Sequence, residues 1–307
     1  MQQFGTWDSE SGEDAGSMRI GALEAGGTKL VCAVGDENGR LLDRVSIPTQ
    51  HPNITIPELT SYFKEQKIEA LGIGCFGPLD LNPKSARYGS LLKTPKPGWA
   101  KLNIIKAFQE ELDVPVGLDT DVNAAVLGEV VYGVGRGYDS VAYMTVGTGI
   151  GVGVYLEGRL VHGMLHPETG HMLVARHPRD KFKGCCSFHE NCLEGFASGP
   201  VIQERWGKPA SELTTDFDVL EMEAYYLAQG ISNIVLCYSP QKGIIGGGVS
   251  HMPGMLELVR EQVRRNLGGY IRHEQFDAEE YIVLPGCGDD AGILGALELG
   301  KRKLMGD

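Results

Sequence analysis

The 307-residue chain has no apolar run near the roughly 18 residues that a membrane-spanning helix requires, which argues against a helical membrane protein. No cluster of Lys or Arg interrupts a formal net charge of −12, so the basic surface that neutralises nucleic-acid phosphates is lacking too. Residues 1–17, MQQFGTWDSESGEDAGS, contain neither the basic start nor the apolar centre of a signal peptide. They read as a disordered leader or tag ahead of a start at Met18. Setting aside its Asp8, Glu10, Glu13 and Asp14, with no base among them, takes the charge from −12 to −8, still acidic. A disulfide scaffold is excluded as well, because the seven cysteines are odd in number and Cys32, Cys75 and Cys237 stand in apolar segments. Reduced thiols of this kind fit a cytoplasmic protein. What the sequence does have is 42% hydrophobic residues with scattered charge, enough for a soluble globular protein of one large or two smaller domains.

The segment RIGALEAGGTKLVCAVGDENGRLL (Arg19–Leu42) predicts strand, glycine-rich turn, strand, tight turn and a third strand. A helix over Ile56–Gln66 follows, then an apolar strand IEALGIGC running into FGPLD. Leu81–Trp99, rich in Pro, Gly and Lys, predicts an ordered loop. Beyond it come a helix over Ile104–Glu111, a strand over Val114–Thr120 and a helix beginning DVNAA. The pattern then restarts: Asp139–Val161 again predicts strand, glycine turn, strand, turn, strand. Aligning Gly27-Thr28 with Gly147-Thr148 brings Gly39-Arg40-Leu41 to within one residue of Gly158-Arg159-Leu160, so the chain is internally duplicated. Further helices are expected over Cys192–Trp206, Asp218–Cys237, up to Arg272, and from about Asp289, with short strands at KGIIGGGV and YIVLP between them. Helices alternating with short apolar strands give an α/β class.

Three glycine-rich turns each follow a strand: Gly26, Gly27, Thr28 and Lys29; Gly147, Thr148 and Gly149; and Gly246, Gly247, Gly248 and Val249. Glycine lets backbone N–H groups approach phosphate oxygens, and threonine adds a neutral donor. None fits the P-loop or the dinucleotide fingerprint. Three in a duplicated frame point instead to turns from two repeats gripping one nucleotide. Asp119 and Asp121, at a strand–helix junction, are candidates for the carboxylate that accepts a hydroxyl proton in phosphoryl transfer, with Asp121 favoured; either could equally be a helix N-cap. The stretch HPETGH (His166–His171) followed by Cys186, His189, Cys192 and Glu194 supplies two imidazoles and two thiols at spacings suited to a tetrahedral structural Zn²⁺, with Cys185 an alternative to Cys186. Glu168 and Glu194 stand two or three residues from these ligands, so a metal that folds the loop would bring two carboxylates together. His162, His166 and His177 read as surface or loop histidines.

In this order, EAGGTK, DTDVNAAxLGE, GTGIGVG, HPETGH, the Cys/His loop and IGGGV resemble the ROK family of sugar kinases and repressors, from Met18 to the last helix. The resemblance implies a duplicated ribonuclease-H-like fold of the actin and hexokinase type. Its lobes would be residues 18–120, with a final helix over 290–305 returning to them, and residues 121–289 with the zinc loop. It implies ATP and Mg²⁺, a hexose substrate phosphorylated at its 6-hydroxyl, and a homodimer. Carried over by motif, Asp121 is the general base, Asn123, Glu168, His171 and Glu194 bind the sugar, and His171 also binds zinc through its other nitrogen. Glu24 stands where much of the family has Asp, which bears on Mg²⁺ positioning. The loop is C-x-x-H-x-x-C where an all-cysteine form is commoner. These variants, with HPETGH and TPKPGW, resemble the fructokinase branch, which also favours Cys186 over Cys185. Fructose is thus the expected substrate, with glucose, mannose and N-acetylmannosamine as alternatives. A sugar-responsive repressor needs a DNA-binding helix-turn-helix, which the acidic leader does not offer, and a non-catalytic zinc module conflicts with the intact DTDVN and phosphate turns.

Overall fold

The computed structural model describes residues 17–94, 96–277 and 279–306; the expected leader, Ser17 apart, lies outside them. Strands β1 (Ile20–Ala25), β2 (Lys29–Gly35) and β3 (Leu41–Pro48) form the first meander, followed by helix α1 (Pro52–Gln66) and strand β4 (Ala70–Cys75). Helix α2 (Ile104–Leu112), strand β5 (Val116–Thr120) and helix α3 (Asp121–Tyr132) complete the first repeat. The second meander is β6 (Val141–Val146), β7 (Ile150–Leu156) and β8 (Arg159–Leu160). Then come α4 (Leu193–Ala197), α5 (Gly199–Trp206), α6 (Phe217–Tyr238), β9 (Lys242–Gly246), α7 (Met255–Leu267), the short α8 (Glu274–Asp277), β10 (Ile282–Val283) and α9 (Ala291–Met305).

The duplication is literal in the sheets. One has the order β3-β2-β1-β4-β5 and the other β10-β9-β6-β7-β8, each with an antiparallel meander extended by two parallel strands. β1 and β4 are nearly wholly buried, as strands covered on both faces must be. α9 lies across β1, β4 and β5 of the first sheet, whereas α3 packs on β6 and β7 of the second. The two helices cross in direct backbone contact: a Cβ at Gly295 would lie 1.6 Å from the Ala124 carbonyl oxygen, so only glycine fits. Among the described residues no helix is long and apolar enough to cross a membrane.

Several element ends differ from expectation for local reasons. α1 begins at Pro52, not Ile56, because His51 Nδ1 accepts the Asn53 N–H at 3.3 Å and proline is suited to the first helical position. The helix expected over Cys192–Trp206 is broken at Ser198, which is extended (φ −77°, ψ 160°) and is followed by Gly199-Pro200. α7 stops at Leu267 because Gly268 adopts φ 57°, so Arg272 lies beyond it.

Candidate active site

The end of β5 delivers DTD to the edge of the first sheet, and the helix cap there falls on neither aspartate. Thr120 Oγ1 accepts the Asn123 N–H at 3.1 Å and is the N-cap of α3. Asp119 is spent on orientation: its Oδ1 accepts from Asn123 Nδ2 at 2.7 Å and from the Thr120 N–H at 2.8 Å, and its Oδ2 faces His162 Nε2 at 2.8 Å. Asp121, the first residue of α3, accepts the Val122 N–H at 2.9 Å and, among the described residues, no side-chain donor. Burial raises its pKa above the ordinary aspartate value, against the pull of the helix amides. Glu24, on β1, packs against Gly292 at the start of α9, and its carboxyl is pushed up to about 7, first by burial and then by the charge of Asp121. The charge of Asp121 adds to the proton affinity of Glu24, so the two carboxyl groups face a common space where a divalent cation would relieve their repulsion.

The three glycine turns all stand at C-terminal ends of strands. The first is closed by Gly26 N–H to the Lys29 carbonyl at 3.0 Å, with Thr28 and Lys29 exposed. The second is closed by Gly147 N–H to the Gly149 carbonyl at 2.9 Å. In the third, Gly247 adopts φ 84° and sits against the end of β6, where a Cβ would meet the Val146 carbonyl oxygen at 2.4 Å; Gly248 and Val249 follow in a short 3₁₀ turn. The second and third turns are therefore adjacent.

The Cys/His loop folds beside the second turn. One ligand atom each from His171, Cys186, His189 and Cys192 lies within 4.8 Å of the others. His171 Nδ1 is 3.8 Å from Cys186 Sγ and 3.7 Å from Cys192 Sγ, and His189 Nδ1 is 3.6 Å from Cys186 Sγ. Zn–S and Zn–N bonds at a tetrahedral angle span roughly 3.6 Å between sulfur and nitrogen, so the donor set fits Zn²⁺. Cys186, not Cys185, joins the cluster, and Cys185 is exposed. His171 turns its other nitrogen, Nε2, toward Glu194 Oε1 at 3.9 Å. Glu194 Oε2 in turn accepts the Ile150 N–H at 3.0 Å, joining the loop to the second glycine turn. Gly170 makes that approach possible, since a Cβ there would fall 1.7 Å from the Ile150 carbonyl oxygen.

Glu168 reaches across to the first repeat: its Oε1 lies 3.4 Å from where a Gly77 Cβ would be, and its pKa is raised to about 7 by burial and by Asp121 and Glu194. Asp121, Glu168, Glu194, His171 and Asn123 thus line one region between the repeats. The histidines read as surface or loop residues are on loops, but two of them are not at the surface. His166, 7% exposed, accepts the Leu79 N–H on Nε2 at 3.0 Å, and His177, 8% exposed, packs edge-on against Tyr225. Sequence reasoning also passed over Arg205, which donates to Glu223 Oε1 at 3.0 Å and to the Phe196 carbonyl at 2.7 Å and pairs with Asp180 at 3.1 Å. No short-range spacing marks that buried cluster, which joins α5 to α4, to α6 and to the segment between His171 and Cys186.

A model of the ROK family matches residues 20–303. The chain belongs to the ROK family. ROK relatives include a fructokinase of Zymomonas mobilis subsp. mobilis, 41% identical over 91% of this chain and 95% of that protein. A fructokinase of Pediococcus pentosaceus is 39% identical over 94% of this chain and 99% of its own length. Among solved structures, the ROK hexokinase from Thermus thermophilus superposes with a TM-score of 0.78 at 29% identity, covering 94% of this chain and 100% of that one. A ROK glucokinase from Streptomyces griseus, in complex with glucose and AMPPNP, shares the fold with a TM-score of 0.76 at 24% identity, over 92% of this chain and 99% of that one. The duplicated ribonuclease-H-like, actin/hexokinase-type fold implied by the ROK motifs is the one observed.

Proposed function

We propose that this ROK protein is an ATP-dependent fructokinase that transfers the γ-phosphate of ATP to the 6-hydroxyl of D-fructose. The observation that carries the reading is the pair of fructokinase relatives matched over nearly their whole lengths. Asp121 is the general base: its carboxylate is not used as a cap, is held at the sheet edge, and has a raised proton affinity suited to accepting the hydroxyl proton. Asn123, with its amide NH₂ fixed on Asp119, leaves its carbonyl oxygen to a sugar hydroxyl, and Glu168, His171 and Glu194 supply the remaining polar contacts. Gly26, Gly27, Thr28 and Lys29 from one repeat, with Gly147, Thr148 and Gly149 and the Gly246–Val249 turn from the other, hold the nucleotide phosphates. Glu24, beside Asp121, would orient Mg²⁺, which would accompany ATP and neutralise developing phosphate charge. His171, Cys186, His189 and Cys192 would hold a structural Zn²⁺, which fixes the loop and thereby the imidazole of His171. The same reading places the enzyme in the cytoplasm as a homodimer, acting on a small sugar and on neither nucleic acid nor membrane.

A coupled assay of ADP release from ATP and Mg²⁺ with fructose, mannose, glucose and N-acetylmannosamine tests it. Fructose is expected to give the highest kcat/KM, and no ADP from any of them would sink the reading. Elemental analysis of protein purified without chelator is expected to find one zinc per chain. Stripping that metal with a chelator is expected to lower Tm and raise the fructose KM together; metal-free protein of full activity would refute the zinc assignment.

A further inference from the structure

The TPKPGW segment (Thr94–Trp99), between β4 and α2, has no part in the site described above, yet it is fastened to the first glycine turn. Trp99 is 1% exposed and edge-on to Phe76 at 5.5 Å between ring centroids, and its Nε1 donates to the Gln50 carbonyl at 2.8 Å. The preceding residue, Thr49, donates its N–H to the Thr28 carbonyl at 3.0 Å and its Oγ1 to the Gly26 carbonyl at 2.8 Å. Two consecutive residues thus tie the segment to the turn. Lys96 is carried over it, with its Cε 3.5 Å from where a Cβ on Gly27 would lie. Its ammonium is one bond further on. The side chain is half-buried, and none of the ion pairs among the described residues involves it. A lysine held in place by a buried tryptophan and left without a carboxylate is a charge awaiting an anion.

The position relative to Asp121 says which anion. Ala25, the last residue of β1, pairs with Cys75 of β4, which pairs with Thr120 of β5, and Asp121 follows. Two interstrand steps set the turn and Asp121 roughly 10 Å apart along one sheet edge. A phosphoryl group passing from a nucleotide on the turn to a hydroxyl beside Asp121 crosses the space that Lys96 borders.

Resting on the kinase reading, we propose that Lys96 is a catalytic residue whose ammonium contacts the γ-phosphoryl oxygens as they leave ATP for the sugar. The sugar oxygen forms a bond to the γ-phosphorus, and the bond from that phosphorus to the β,γ-bridging oxygen breaks, its electron pair leaving on ADP. The hydroxyl proton passes to Asp121. Lys96 exchanges no proton and acts as a fixed positive charge where negative charge spreads over the equatorial oxygens.

The test compares wild type, Lys96→Met and Lys96→Arg with ATP, Mg²⁺ and fructose, with Tm measured on each. Lys96→Met is expected to lower kcat roughly 10²- to 10³-fold, the range for a single transition-state charge contact, with the fructose KM within about threefold and Tm unchanged. Lys96→Arg keeps the charge and is expected to recover about tenfold of the loss. A kcat for Lys96→Met within about threefold of wild type overturns the proposal, as does a loss that Lys96→Arg fails to reduce. If the methionine variant does not fold, the wild-type and arginine rates decide: an arginine variant at the background rate refutes the charge role. Wild type that phosphorylates no hexose overturns the kinase reading itself, and the role of Lys96 with it.

Discussion

Replacing Thr120 by Ala and Asp121 by Asn separates capping from catalysis at the start of α3. Thr120→Ala removes the hydroxyl that accepts the Asn123 N–H at 3.1 Å and leaves that donor unpaired at a site 3% exposed. Loss of such a cap costs about 1 kcal/mol, within a range of roughly 0.5–2, which corresponds to about 2–4 °C in Tm for a chain of this size class. Asp121→Asn is isosteric, and its side-chain oxygen still accepts the Val122 N–H, so no native contact is lost. Burial raises the proton affinity of Asp121 in the folded state, so folding binds the proton more tightly than the unfolded chain does. Stability from this group is therefore lost as pH rises through the folded pKa, and the asparagine variant escapes that loss. It is expected to be at least as stable as wild type at pH 8. Its kcat should fall roughly 10²- to 10⁴-fold, or about 3–5 kcal/mol in the barrier, because the hydroxyl proton has no acceptor. Wild type should also lose activity on the acid side at a pH above the ordinary aspartate value. Coupled ADP release and thermal denaturation on the same preparations read out both effects. The reasoning fails if Asp121→Asn keeps kcat within about tenfold, or if its Tm drops as far as that of Thr120→Ala.

Two further changes test the frame around the site. Arg205→Met leaves the Asp180 carboxylate buried without its cation and raises further the proton affinity of Glu223, which burial already pushes up to about 8, and the loss is expected near about 3 kcal/mol. A denaturant midpoint shift worth less than about 1 kcal/mol would show that the cluster braces nothing. Glu24→Gln addresses the proposed Mg²⁺ site. With its carboxyl at about 7 and raised by burial, Glu24 makes the nucleotide-free protein less stable as pH rises from 6 to 8.5 across that pKa. The glutamine variant should show a smaller Tm difference between those two pH values and a weaker Mg²⁺ dependence of activity; parallel Tm–pH curves would contradict this.

The meanders were legible because alternating apolar strands separated by glycine turns recur twice, and both sheets carry that repeat in the same order. The Cys/His cluster was legible because Cys186, His189 and Cys192 are local, and their short spacing constrains their geometry. The break at Ser198 is hidden in the sequence, although Gly199-Pro200 mark it, because the apolar pattern runs on through α5. The burial of His166 is hidden for another reason: its partner, the Leu79 N–H, is 87 residues away in sequence, and no periodicity announces a bond of that range. The same holds for Lys96 over Gly27 and for Arg205 between Asp180 and Glu223, whose partners come from separate elements.

By itself the sequence determined the residue types and their order: a duplicated α/β chain, three phosphate-type turns, a DTD at a strand end and a Cys/His loop. These are consequences of local backbone preference and short-range ligand spacing. How the two aspartates are bonded was decided only by the tertiary structure, because the cap at α3 went to Thr120 and Asn123 Nδ2 to Asp119, leaving Asp121 with backbone amides. It also decided that the Cys/His loop meets the second glycine turn, through Glu194 and the glycine-only contact at Gly170. Hydrogen-bond allocation and close backbone approach depend on where distant segments meet, and that is fixed by packing of the whole chain.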